Sequence, residues 1–145
     1  MPKTHEVRTA LAFDYGIKRI GVAVGQKITA TASALAPLKA KDGIPNWEQI
    51  SALVKEWQPD AFVVGMPLNM DGSESEMSAR AAKFARRLNG RFNIPSYTHD
   101  ERLTSFEAKG TVMQQTRERD FGHYSVDGLA ACLILESWFS EYASH

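Results

Sequence analysis

Apolar and polar positions follow two periods along this chain, and the changeovers mark its elements. Leu11-Ala12-Phe13 is an apolar stretch that ends at Asp14, followed by Tyr15-Gly16. Arg19-Ile20-Gly21-Val22-Ala23-Val24-Gly25 reads as a second strand, and the few residues between allow only a tight antiparallel hairpin. Residues 28–35 alternate weakly and extend the hairpin to a three-stranded meander. Trp47, Ile50, Val54 and Trp57 recur at helical spacing behind an Asn46 cap, with Gln49 at the third helical position, and Pro59 ends that helix. The continuous apolar run Ala61-Phe62-Val63-Val64-Gly65-Met66 predicts a strand covered on both faces. A polar loop over residues 67–73 leads to a second capping pattern, Ser73 with Glu76. The stripe Met77, Ala81, Phe84, Leu88 then predicts a helix ending near Asn89-Gly90. A short strand over residues 94–98 runs into His99-Asp100-Glu101-Arg102. Thr104 and Glu107 open a third helix, residues 116–123 are a polar break, and residues 126–139 form a helix apolar on most sides.

This order, β-β-β-α-β-α-β-α-α, predicts an α/β fold: a mixed five-stranded sheet, antiparallel at first and then alternating with helices that cover both faces. No linker divides the 145 residues, so a single domain over 10–145 is expected after a loose N-terminus over 1–9. Charge excludes one class of surface. With 17 basic and 17 acidic residues, a uniformly cationic nucleic-acid coat is ruled out, although a local patch is not. The single cysteine, Cys132, excludes an internal disulfide and Cys-rich zinc sites. Neither a membrane-length apolar run nor an apolar leader segment is seen, so a soluble cytoplasmic protein is expected.

The acids at element ends carry the candidate chemistry. Asp14 closes an apolar strand, Asp100 and Glu101 close another, and Asp127 opens an apolar helix. Strand ends at the crevice of an open α/β sheet are the usual ligand sites. Carboxylates that converge there repel one another unless a cation neutralises them, and an all-oxygen set suits Mg²⁺ or Mn²⁺. Two such ions about 4 Å apart can activate a water and stabilise a leaving oxygen in phosphodiester cleavage. Each acid also has a structural reading: Asp14 as a turn residue, Asp127 as an N-terminal complement to a helix dipole, and the Asp100-Glu101-Arg102 run as a surface ion-pair cluster.

Four segments together carry a family resemblance: LAFDYGIKRIGVAVG over 11–25, VVGMPLNMDGSE over 63–74, HDERLTSFEA over 99–108 and VDGLAACLILE over 126–136. In this order they resemble the YqgF (RuvX) family of RNase H-like nucleases, associated with pre-16S rRNA and once proposed as Holliday-junction resolvases. The resemblance implies an RNase H-like fold and metal-dependent nuclease chemistry, with Asp14, Glu101 and Asp127 as the metal-holding acids. Asp100 is the fallback for Glu101 if the strand register differs by one, since strand neighbours point to opposite faces. The approach to Asp127 departs from the family pattern of basic residues. His123 stands there, either as a loop residue or as a partly charged substitute.

Several basic and polar residues are candidate substrate contacts. Lys18 and Arg19 follow Asp14 in the tight connection, Arg102 adjoins Glu101, and Asn69 lies in the 67–73 loop, a candidate substrate-closing loop. Arg80, Lys83, Arg86, Arg87 and Arg91 form an acid-free run that either tracks a phosphate backbone or is a solvated helix face. Trp47, Trp57 and Trp138 have apolar neighbours and are expected in the core. The combined expectation is a Mg²⁺- or Mn²⁺-dependent endonuclease for structured RNA, with 16S rRNA 5′-end maturation as the task the resemblance implies. The expected partners are nucleic acid and possible ribosomal particles, for a monomer or homodimer. Branched DNA as substrate, and a catalytically weak RNA- or ribosome-binding factor, are the alternatives. A sugar-kinase-like reading of the D-x-G hairpin needs two such domains, and the chain is too short for them.

Overall fold

The computed structural model describes residues 7–29, 31–69, 71, 73–100 and 126–143. Within them run β1 (Thr9–Asp14), β2 (Arg19–Gln26), β3 (Thr31–Lys41), β4 (Ile44–Pro45), α1 (Trp47–Trp57), β5 (Ala61–Met66), α2 (Glu76–Phe92), β6 (Ser96–Asp100) and α3 (Val126–Ala143). The expected helix behind Thr104 and the polar break over 116–123 lie outside the described residues.

The strands form one mixed sheet in the order β4-β3-β2-β1-β5-β6. β1, β2 and β3 are antiparallel neighbours, as the meander predicts, and β5 and β6 add in parallel to β1. Among the described residues the sheet has six strands, one more than the five expected. Lys41 pairs with Ile44 around a two-residue turn, Asp42-Gly43, and both turn residues have positive φ, 53° and 82°. That is the backbone an Asp-Gly hairpin favours, and it folds the chain back into the short edge strand β4. The third strand also starts later and runs further than 28–35, over 11 residues that include Pro37. Ile20 pairs with Leu38 and Val22 with Leu35, so β3 carries an extra residue opposite Gly21. A bulge of this kind tolerates a proline in a strand.

Alternation sorts the strand residues onto two unlike faces. Leu11, Phe13, Ile20, Val22, Phe62 and Val64 pack beneath α1 and α2, with Ile50, Phe84 and Leu88. Ala10, Ala12, Ala23, Ala34 and Ala61 lie on the other face beneath Ile134, Leu135, Trp138 and Phe139 of α3. Small side chains there let α3 approach the sheet closely. At Gly25 a Cβ would come within 2.7 Å of a Leu135 methyl and 2.9 Å of the Phe139 ring. Helices thus cover both faces, as expected. Val7 is fully buried under α3, and the Arg8 and Thr9 amides donate to the Asp60 carboxylate, so the chain is tied down from residue 7 onward.

Capping follows the sequence with one shift. Asn46 caps α1 by accepting from the Glu48 amide at 2.9 Å. α2 is capped by Ser75, not Ser73: Ser75 Oγ accepts from the Ser78 amide, and Ser78 Oγ accepts from the Ser75 amide. Ser78 supplies the return bond expected of Glu76, and its burial favours the short hydroxyl. α2 also runs past Asn89-Gly90 to Phe92, because Asn93 takes the left-handed conformation that closes it. β6 occupies 96–100 rather than 94–98, since Phe62 to Met66 pair with Ser96 to Asp100. Trp138 is a core residue, whereas Trp47 and Trp57 are half-buried at the edge of the α1–α2 layer.

Candidate functional site at the strand ends

β1, β5 and β6 point their C-terminal ends to the same edge, and Asp14 is the last residue of β1. Asp14 continues the Ala10–Ala12 parity, which places it on the face that α3 covers. It pairs with Gly21 of β2, and one step beyond the Phe13–Val64 pair brings it level with Gly65 of β5. Gly65 in turn pairs with His99. The row across the sheet is therefore Gly21, Asp14, Gly65, His99. The half-buried Asp14 thus has a glycine beside it on both β2 and β5, so neither neighbouring strand places a side chain next to it in this row.

The connection after Asp14 is held from several directions. At Gly16 a Cβ would meet the Arg19 carbonyl oxygen at 2.4 Å, so only glycine fits the turn. The Lys18 carbonyl accepts from the Ala40 amide and the Ile17 carbonyl from the Gly43 amide, both at 2.8 Å. The Tyr15 hydroxyl donates to the Gly43 carbonyl at 2.6 Å. The Asp42-Gly43 turn thereby clamps the loop that carries Lys18 and Arg19, both of which are exposed. Arg19 pairs across the sheet with Lys39, and both belong by alternation to the face of Asp14. Lys39 was not singled out in the sequence, because its place opposite Arg19 depends on the extended register of β3.

Asp100 pairs with Met66, whose side chain packs in the α1–α2 layer. Register therefore puts Asp100 on the opposite face from Asp14, which counts against it as the fallback ligand. Glu101, Arg102 and His123 lie outside the described residues. The backbone of Asp127 lies in the first turn of α3, the helix on Asp14's face, and its side chain is outside the description. Among the described residues, no three His, Cys, Asp or Glu side chains gather as a metal site.

Asn69 is exposed, with its side-chain amide engaged within its own loop. Its side-chain amide donates to Ser73 Oγ at 3.1 Å and to the Glu74 carbonyl at 3.4 Å, and its own amide donates to the Ser73 carbonyl. It holds the loop after β5 in shape. The cations of α2 divide between two sides of that helix. Arg80, Lys83 and Arg87 line a groove against the β3–β4 turn, whereas Arg86 faces Ser96 and Thr98 of β6. The Arg91 guanidinium lies 4.2 Å over the Trp47 ring.

His99 is the buried polar group that the sequence left unassigned. Its Nε2 lies 2.9 Å from Ser137 Oγ and its Nδ1 lies 3.6 Å from a Glu141 carboxylate oxygen, so it ties β6 to α3. Burial lowers its pKa from the ordinary imidazole value, against the opposing pull of Glu141 and Asp100. Cys132 is buried, and burial together with the Glu136 charge pushes its thiol up to about 12, which leaves it no nucleophilic role.

A family model described as "RuvX: Holliday junction resolvase" matches residues 8–141. The chain belongs to the RuvX family. A relative from Pseudomonas aeruginosa (strain LESB58) is 56% identical over 142 residues, covering 98% of this chain and 99% of its own, and carries the name "Putative pre-16S rRNA nuclease". A relative from Pseudomonas fluorescens (strain Pf0-1), of the same name, is 60% identical over 136 residues, covering 93% and 94%. Among solved structures, the Thermus thermophilus RuvC in complex with a Holliday junction substrate aligns with a TM-score of 0.60 at 14% identity, covering 94% of this chain and 96% of that one. The yeast mitochondrial Holliday junction resolvase aligns with a TM-score of 0.59 at 10% identity, covering 97% and 81%. These likenesses establish that this RuvX-family chain has the RNase H-like resolvase fold, in agreement with the expected fold class. No helix among its described residues is long and apolar enough to cross a membrane.

Proposed function

We propose that this RuvX-family chain is a metal-dependent endonuclease that hydrolyses phosphodiester bonds in structured RNA, with maturation of the 16S rRNA 5′ end in the cytoplasm as its task. The observation that carries this reading is Asp14, set between two glycines at the strand-end edge, on the face covered by α3, whose first turn holds the backbone of Asp127. The names of the relatives supply the RNA, and the fold supplies the reaction class.

An all-oxygen donor set at Asp14, Glu101 and Asp127 fits Mg²⁺ or Mn²⁺, and His99 in the same row is already engaged by Ser137. Asp100 shares the Met66 face by register, so Glu101, the acid that the family resemblance names, is proposed as the second ligand in its place. Bound divalent ions would supply activation of the attacking water and charge stabilisation at the leaving oxygen. The chain's own residues do the rest. Lys18, Arg19 and Lys39 put positive charge beside the edge where phosphate charge builds up. Arg102 is a further candidate for a bidentate grip on a neighbouring phosphate. The clamp from Gly43 to Tyr15 and Ile17 keeps the cationic loop from moving away from Asp14.

The test is cleavage of precursor rRNA with its 5′ extension by the native chain and by Asp14→Asn, in Mg²⁺, Mn²⁺ or chelator. Cleavage confined to the native chain with metal is the expected result. RNA binding without cleavage above the Asp14→Asn background would overturn the reading in favour of a binding factor. Cleavage of a four-way DNA junction in place of RNA would move the substrate to branched DNA.

A further inference from the structure

The groove between α2 and the β3–β4 turn lies on the α1–α2 side of the sheet and opens at the same edge as Asp14. Three cations one to two turns apart on α2, Arg80, Lys83 and Arg87, form its wall. Tyr15, Trp47 and Phe84 form an aromatic floor, with ring centroids 5.2 Å apart for Tyr15–Phe84 and 5.8 Å for Trp47–Phe84. Among the described residues, the only acid in the lining is Asp42. Arg80 reaches Glu76 at 3.8 Å on an exposed stretch of helix, a pairing too weak to hold it from a phosphate. Lys83 and Arg87 are exposed.

On the proposed reading of the Asp14 edge as a nuclease site, we propose that this groove is a second, non-catalytic docking track for the backbone of the RNA strand that flanks the cleaved bond. At about 1.5 Å rise per residue, Arg80 to Arg87 spans roughly 10 Å. Lys83 and Arg87, both exposed and one turn apart, can each neutralise one phosphate of the strand. Cations along one wall suit a phosphate backbone, and the half-buried Tyr15 and Trp47 leave ring edges in the lining for the sugars between phosphates. An acidic polypeptide would use the cations and leave the rings without a role. The groove starts next to Tyr15, the residue after Asp14, so a strand seated in it fixes how far the cleaved bond lies from a held segment.

The experiment uses the Asp14→Asn chain, so that RNA is bound and not cut, and a fluorescein-labelled precursor 16S 5′-leader RNA titrated by anisotropy at several KCl concentrations. Each lost phosphate contact reduces the slope of log K against log salt by about 0.7–0.9. The double substitution Lys83→Gln/Arg87→Gln is therefore expected to flatten the slope by about 1.4–1.8 and to weaken binding about tenfold or more at low salt. Arg86→Gln removes one charge from the β6 side of the same helix, against two in the double variant, and is expected to keep the slope. All three positions are exposed, and thermal melts of each variant confirm folding; Lys83→Gln alone serves if the double variant does not fold. A double variant with the parent slope would overturn the proposal and leave an acidic polypeptide as the groove's occupant. A slope loss for Arg86→Gln of about half that of the double variant would overturn it in favour of diffuse charge. A native chain that cuts RNA while binding ignores the groove fails this inference alone. Groove-dependent binding without cleavage by the native chain fails the nuclease reading alone.

Discussion

Gly16→Ala is expected to destabilise the fold sharply, although it adds one methyl group in a partly exposed turn. That carbon would lie 2.4 Å from the Arg19 carbonyl oxygen, about 1 Å inside ordinary van der Waals contact. Relief requires the turn or the start of β2 to move by about that distance. Movement is opposed by the bonds from Ala40 to the Lys18 carbonyl and from Gly43 to the Ile17 carbonyl, both 2.8 Å. A shift of 1 Å would break one or both, at a net loss of about 1 kcal/mol each. Overpacking adds about 1–3 kcal/mol. The sum is about 2–5 kcal/mol, which at a urea slope of about 2 kcal/mol/M lowers the midpoint by roughly 1–2.5 M. Gly90→Ala is the control of opposite sign. It lies in the exposed interior of α2, a Cβ there meets nothing within 4 Å, and its φ is not positive. Better helix propensity is expected to raise stability by about 0.5–1 kcal/mol. Equilibrium urea unfolding followed by tryptophan fluorescence reads both. A Gly16→Ala midpoint within about 0.3 M of the parent would refute the clamped-turn geometry.

Other expectations follow from single contacts. Ser75→Ala removes the acceptor for the Ser78 amide and the donor to the Pro67 carbonyl, and should cost about 1–2 kcal/mol in the same unfolding assay. Burial raises the Glu136 pKa, partly offset by a hydrogen bond from the Ala32 amide. The folded chain therefore favours protonated Glu136, and the stabilising contribution present at low pH is lost as pH rises through the folded value. Glu136→Gln should thus melt like the parent near pH 4 and above it near pH 8; a constant difference across that range would contradict the assignment. Cys132, with its thiol at about 12, should react with an aromatic disulfide reagent at neutral pH only after unfolding, and rapid labelling of the native chain would show that α3 does not bury it.

Patterning alone determined most of the fold. The hairpin, the buried central strand and the first two helices follow from periods of two and 3.6 and from caps at Asn46 and near Ser75, because these signals are local. The Asp42-Gly43 turn was equally local, yet without the length of β3 nothing marked it as a hairpin, and the sixth strand depends on it. Pairing partners were not legible, since register joins residues far apart in the chain. Only the sheet could seat Asp14 between Gly21 and Gly65, put Asp100 on the opposite face and bring Lys39 beside Arg19. In the same way, the run of cations on α2 was visible as charge. Its division into a groove wall and a separate Arg86 required knowing which side of the helix met the β3–β4 turn. Sequence thus determined the elements and the family's acids, because local sterics and hydrophobic period act within a few residues. Tertiary structure decided which faces those residues share, because burial selects one register among pairings that are locally equivalent.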